Sequence, residues 1–193
     1  TFLLPMTSDD HALYNPSLDY AVYLTLPIFY IMFQILVLLT TLYALGSESK
    51  MGTARDWLQS ANYRTMVSVG GKLLPYTLFF VVEALLANYV FFYWLRIPMA
   101  GSIGLFSLIS VLFIIATQAV AVILYSLFPV LSLVISVVSM FGSLGATLSG
   151  LTFPLTSMYP IIQYVALLFP LRHFTEAMQR IVYYGGGFTS IVP

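Results

Sequence analysis

IPMAGSIGLFSLISVLFIIATQAVAVILYSLFPVLSLVISVVSMFGSLGATLSGLTFPLTSMYPIIQYVALLFPL, from Ile97 to Leu171, is a run of 75 residues without Asp, Glu, Lys, Arg or His. A membrane-spanning helix needs about 20 apolar residues, so this run holds more than one. Its breakers divide it. Pro98, Gly101 and Gly104 form a turn, residues 105–124 a span, Ser126 to Pro129 a tight reversal, and residues 130–150 a second span. Read as one helix, residues 105–150 would reach roughly 69 Å at 1.5 Å per residue, more than twice the hydrocarbon thickness. Two antiparallel spans follow.

The flanking sequence carries the same argument outward. Tyr20 to Ser47 contains 28 uncharged residues, and the 23 residues between Lys72 and Arg96 are interrupted only by Glu83. Each holds one span, at residues 20–45 and 73–95. The whole chain has seven basic and seven acidic residues among 193, 60% hydrophobic residues and a mean hydropathy of +0.96. Soluble domains carry about a quarter charged residues. A water-soluble fold, a disordered chain and a nucleic-acid binder, which needs a basic footprint, are therefore excluded. Without cysteine there is no disulfide framework, thiolate metal site or thiol nucleophile. The fold class is an all-α integral membrane protein of about four transmembrane helices.

After Gly150 the pattern changes. Pro160 and Pro170 leave nine residues between them, about 14 Å of helix, which reads as a re-entrant segment. Residues 171–184 read as an amphipathic helix with Arg172, Glu176 and Arg180 on one face, ended by Gly185-Gly186-Gly187. Six of the fourteen charges fall in residues 46–72, four of them basic, whereas residues 1–19 carry Asp9 and Asp10 and no Lys or Arg. The positive-inside bias places the 46–72 loop in the cytoplasm, with residues 1–19 and 151–193 outside. Within the loop, residues 50–61 read as a short amphipathic helix, capped by Thr53 with Asp56 reaching back. Trp57 and Leu58 project together from it. Two readings stay open: a helix lying in the headgroups with Trp57 down, or one presenting Trp57 and Leu58 to a cytosolic partner.

Chemistry is sparse. No G-x-x-x-x-G-K-[ST] loop exists, since Leu73 follows Gly70-Gly71-Lys72, so ATP binding by this chain is not expected. His11 and His173 are far apart and supply neither a metal site nor a triad; catalytic and metal-ligating residues are absent from this reading. An intramembrane enzyme would need paired groups at one depth, and none is found. Glu83 is the one ionisable residue inside a span, where a carboxylate should face a cavity or a partner. It is protonated by desolvation, hydrogen-bonded to Asn88, Gln118 or a serine, or paired with a residue of the missing first or sixth span. It reads as a structural group facing the dimer or bundle interior, or as one that serves substrate passage or proton coupling. Gln34 and Gln118 read as interhelical glue, and Gly142, Gly145, Ala146 and Gly150 as a close-packing face. The aromatics Phe79, Phe80, Tyr89, Phe91, Phe92, Tyr93 and Trp94 read as an interfacial belt.

Glu48-x-x-x-Gly52-Thr53, then Trp57-Leu58, then Gly71-Lys72 at the next span, resembles the permeases of type-2 ABC exporters, in which an E-x-x-x-G-T turn opens a coupling helix. Ser47 and Ser49 stand where that family often has charges. Leu13-Tyr14-Asn15-Pro16 with Pro27 looks like the end of the family's external domain. Gly150, Phe153-Pro154, Met158, Pro160 and Pro170 are similar to its external re-entrant region. The resemblance implies a multi-pass protein of the bacterial cytoplasmic (inner) membrane and a dimer with a second permease copy or paralogue. It also implies a separate cytosolic ATPase subunit holding ATP and Mg. On this reading the chain holds spans two to five and lacks the first span, the external domain and the last span. In another class stands a secondary transporter or channel that uses Glu83 to couple ions, which would predict inverted repeats. No convincing internal repeat is present.

Overall fold

The computed structural model describes residues 20–151 and 157–186. Four helices in it are long and apolar enough to cross a membrane: α1 (Tyr20–Met51), α3 (Thr65–Tyr89), α4 (Ile103–Leu127) and α5 (Leu131–Leu148). Short α2 (Ala54–Ser60) joins α1 to α3, and α6 (Pro160–Ala166) and α7 (Pro170–Val182) follow α5. No strand occurs among the described residues. With no water in hydrocarbon to bond free amides, a chain this apolar satisfies its backbone within helices.

The helix ends lie where local chemistry stops propagation, and several differ from the pattern of charges. α1 continues past residue 45 through Ser47, Glu48, Ser49 and Lys50 to Met51, where Gly52 turns the backbone left-handed at φ 75°. Polar residues do not break a helix; only Gly52 does. At 32 residues α1 is about 48 Å long, well beyond the hydrocarbon thickness. α3 likewise begins at Thr65, a full two turns before residue 73, and runs through Gly70-Gly71. It ends in a π-helical turn, Val90–Trp94. α4 stops at Leu127, where Phe128, ahead of Pro129, leaves the helical region (φ −129°, ψ 79°). Pro160 and Pro170 open α6 and α7, positions where a missing N–H costs nothing.

α1 is the hub and packs against α3, α4, α5 and α7. Two apolar clusters lie along it. One gathers aromatic rings around Tyr30, with Phe33, Phe80, Phe91, Phe106, Phe113 and Phe174; Tyr30 and Phe174 have centroids 4.3 Å apart. The other is aliphatic: Leu38, Leu42, Ala121, Val134 and Val138. The expected aromatic belt therefore divides. Phe80 and Phe91 are core, while Phe79, Tyr89, Tyr93 and Trp94 are exposed, because the buried stripe of α3 recurs at helical spacing through Phe80, Ala84, Asn88 and Phe91.

Glycine permits the close contacts of α5. A Cβ on Gly142 would lie 3.0 Å from Ile35 Cγ1, and one on Gly145 3.1 Å from Phe169 Cδ1. Beyond α3, a Cβ on Gly101 would sit 2.5 Å from the carbonyl oxygen of Ile181, so the 97–102 turn can lie against the end of α7 only with glycine there. The Ala100 amide donates to Val182 O at 2.9 Å in the same seam.

One polar node sits inside the aromatic cluster. Tyr30 Oη donates to Asn88 Oδ1 at 2.8 Å and lies 2.8 Å from Ser110 Oγ, which also donates to Phe106 O at 2.9 Å. It joins α1, α3 and α4. Tyr30→Phe keeps the ring packing and removes these bonds, so a loss of about 1 kcal/mol is expected. Tyr30→Ala also opens a cavity, for about 3–5 kcal/mol. Thermal unfolding in nanodiscs measures both; equal losses for the two variants would show the ring packing to be unimportant.

Candidate functional site at the 46–72 elbow

The E-x-x-x-G-T and G-K motifs, 24 positions apart at Glu48 and Lys72, meet in space. The Glu48 carboxylate, on the last turn of α1, accepts from Lys72 Nζ through Oε1 and from Thr53 Oγ1 through Oε2. The Thr53 amide donates to Glu48 O at 3.0 Å, closing the turn at Gly52. Lys72 Nζ also lies 5.2 Å from the ring centroid of Trp57, a cation–π distance. One ion pair thus gathers α1, α2 and α3.

This arrangement corrects two expectations. The helix of residues 50–61 is shorter, because α1 claims residues to Met51 and α2 spans only Ala54–Ser60. The capping box of Thr53 and Asp56 does not form. Glu48 outcompetes it: its carbonyl takes the Thr53 amide and its carboxylate the hydroxyl. Ala54, Trp57, Leu58 and Ala61 are half-buried together, and Arg55, Asp56, Gln59 and Ser60 form the exposed face. Trp57 lies beneath Lys72 rather than projecting freely. Beyond α2, Asn62 (φ 51°) and Tyr63 (φ 58°) turn the chain left-handed into α3.

Two further contacts bring α4 and α5 to the same end. Ser49 Oγ lies 2.6 Å from Tyr125 Oη, and a Cβ on Gly46 would fall 2.5 Å from Leu131 Cδ1. Neither was legible in the sequence, since no motif links residues 76 or 85 positions apart.

The intramembrane polar residues do not converge. Gln118 Oε1 accepts from Thr77 Oγ1 at 2.7 Å, joining α3 and α4 as interhelical glue, while Gln118 Nε2 has no partner among the described residues. Gln34 is 1% exposed, and neither of its amide atoms has a partner among the described residues; it faces α5 at Gly145. Thr41 and Thr117 are buried in the same state. Glu83 is half-buried on the flank of the α3 stripe, and its Oε2 is covered without a partner among the described residues. The expected bonds from Asn88 or Gln118 are not made, because Tyr30 and Thr77 hold those side chains.

Of the re-entrant residues, Gly150 turns left-handed at φ 81°, the Met158 carbonyl accepts from Gln163 Nε2 at 2.9 Å, and Pro160 and Pro170 open their helices. Phe153 and Pro154 lie outside the described residues. On α7, Glu176 pairs with Arg172 at 3.1 Å and Arg180 at 2.6 Å. A mainly apolar cavity of about 570 Å³ lies beside the packed pair α4 and α7, walled also by Leu167 and Leu168 ahead of α7. No cluster of metal-ligating side chains occurs among the described residues.

A family profile described as "ABC-2 family transporter protein" matches residues 3–193. The chain belongs to this family. Two curated relatives, in Escherichia coli K12 and in Escherichia coli O157:H7, both named "Probable multidrug ABC transporter permease YbhR", are 25% identical over 168 residues. The match covers 87% of this ABC-2 family chain but 45% of each relative, so the chain spans about half their length. No solved structure matches significantly. With its four apolar helices, this ABC-2 family chain is a multi-pass membrane protein.

The cation–π contact gives a spectroscopic check. In a Trp94→Phe background, which leaves Trp57 as the single tryptophan, Lys72→Ala should uncover the indole and red-shift its emission by several nanometres. An unchanged spectrum would mean that Lys72 does not cover Trp57.

Proposed function

We propose that the chain is the membrane-spanning permease part of an ABC-type exporter of the bacterial cytoplasmic (inner) membrane. It moves substrate using ATP hydrolysed with Mg by a separate cytosolic subunit, and it works beside a second permease copy or paralogue. The observation that carries this reading is the elbow: a short helix held outside the apolar spans by a carboxylate-centred cluster, at the end of the bundle where the positive-inside bias favours the cytoplasm. The family membership supports it, and so does the relatives' name.

The elbow also suggests which surface meets the ATPase. With Trp57 turned onto Lys72, α2 offers Arg55, Asp56 and Gln59, continued by Tyr63 and Met66, which are 58% and 89% exposed. This mixed polar and apolar strip has the composition of a surface that meets a soluble partner. Trp57 and Leu58 then serve by setting the tilt of α2.

Co-purification of the full-length protein with its ATPase tests the reading. Arg55→Glu with Gln59→Arg should weaken the complex at least tenfold. Gly52→Pro, which cannot adopt φ 75°, should abolish coupled transport. If neither variant reduces association or transport, the docking role is wrong.

The covered Glu83 carboxylate favours one other reading, a secondary transporter or channel that uses it to couple ions. Glu83→Gln distinguishes the two. ATP-dependent export should survive the substitution within about threefold; transport that runs without the ATPase and disappears in this variant would replace the exporter reading.

A further inference from the structure

We infer that Glu48 is a positioning residue that fastens α2 to both α1 and α3, so that a force applied to the short helix reaches two membrane helices through a single carboxylate. The inference rests on the exporter reading and adds the route of transmission.

The backbone alone would not transmit such a force. α2 has seven residues, too few for a stable isolated helix, and left-handed turns flank it at Gly52 on one side and at Asn62 and Tyr63 on the other. A Cβ placed on Gly52 would meet no neighbouring residue within 4 Å, and the backbone bond from the Thr53 amide to Glu48 O crosses that joint. A push on α2 would be absorbed at these joints unless side chains bridge them. Glu48 bridges the first by holding Thr53 across Gly52. It bridges the second by holding Lys72, two turns into α3, while Lys72 covers Trp57 at the middle of α2. The three elements form a triangle with the carboxylate at its shared corner. From α1, Ser49 carries the connection on to Tyr125 of α4.

Geometry also sets the chemical requirement. Two donors reach two different oxygens of one carboxylate; Gln offers one acceptor oxygen and no charge, so the ion pair with Lys72 is lost and Thr53 must reverse its hydroxyl to accept from the amide nitrogen. Lys72→Arg retains both the charge pair and a cation over an aromatic ring, and so should substitute for lysine.

The test uses the full-length protein with its ATPase in proteoliposomes, comparing Glu48→Gln, Lys72→Met and Lys72→Arg for complex formation, ATP hydrolysis and transport. The first two should keep the complex and hydrolyse ATP within about threefold of the parent, while transport per ATP falls at least tenfold. Lys72→Arg should restore transport to within about threefold. Spin labels at Ser60→Cys and Val67→Cys, both exposed and outside the docking strip, give a second readout once any cysteine beyond these cysteine-free 193 residues is replaced. Their separation should stay constant through the nucleotide cycle and become nucleotide-dependent in Glu48→Gln. Parental transport per ATP in Glu48→Gln would overturn the inference. So would loss of the complex in that variant, which would make Glu48 a docking residue instead. If the parent itself fails to bind the ATPase, it is the exporter reading that has failed.

Discussion

The structure depends on α1 remaining helical to Met51, past the uncharged run that ends at Ser47. Hydrocarbon forces the chain between Tyr20 and Ser47 into a helix, since no other conformation satisfies its backbone there. Nothing forces the last turn, yet Glu48, Ser49 and Lys50 stay in register because no breaker precedes Gly52. That extra turn brings Glu48 to the height of Lys72 and Ser49 to that of Tyr125. A helix ending at residue 45 would leave both residues in a loop, and the elbow would have no fixed base.

The same helix organises the bundle in two halves of different chemistry. Around Tyr30 the packing is aromatic and the buried polar groups bond to one another: Asn88, Ser110 and the tyrosine hydroxyl bridge α1, α3 and α4. Nearer the elbow the contacts are between Leu38, Leu42, Ala121, Val134 and Val138, shapes that slide past one another more easily than interlocked rings. The elbow end is then tied again by polar contacts at its rim.

Much of this architecture was legible in the sequence. Charge-free lengths located the spans because the bilayer imposes a length on each, and Pro129 separated α4 from α5 through its restriction of Phe128. Helix ends were less legible, because they depend on where water begins and on residues such as Gly52 and Arg96 that take a positive φ. The elbow motifs could be recognised, but not their meeting: helical spacing says which residues share a face, not that Glu48 would take the hydroxyl that a capping box assigns to the helix of Thr53. Glu83 shows the opposite failure. Its depth was clear from position alone, whereas its neighbours were not, because Asn88 and Gln118 had been claimed by Tyr30 and Thr77 on other helices.

The orientation of Trp57 changes what the motif means physically. A tryptophan beside a leucine on a short helix suggests an anchor for a partner's pocket, since these side chains supply the apolar area on which interfaces rely. Here Lys72 covers the ring, and a charged group shared with Glu48 holds it. Withdrawing that indole for a partner would separate Lys72 from the aromatic face and strain the ion pair at the same time. The contact therefore favours a helix that keeps its own packing and offers its polar face. A polar face also fits an association that must be remade in every cycle, because a deeply buried aromatic anchor slows dissociation. Fixed packing on one side and exchangeable contacts on the other allow α2 to transmit a displacement without being displaced from its own protein.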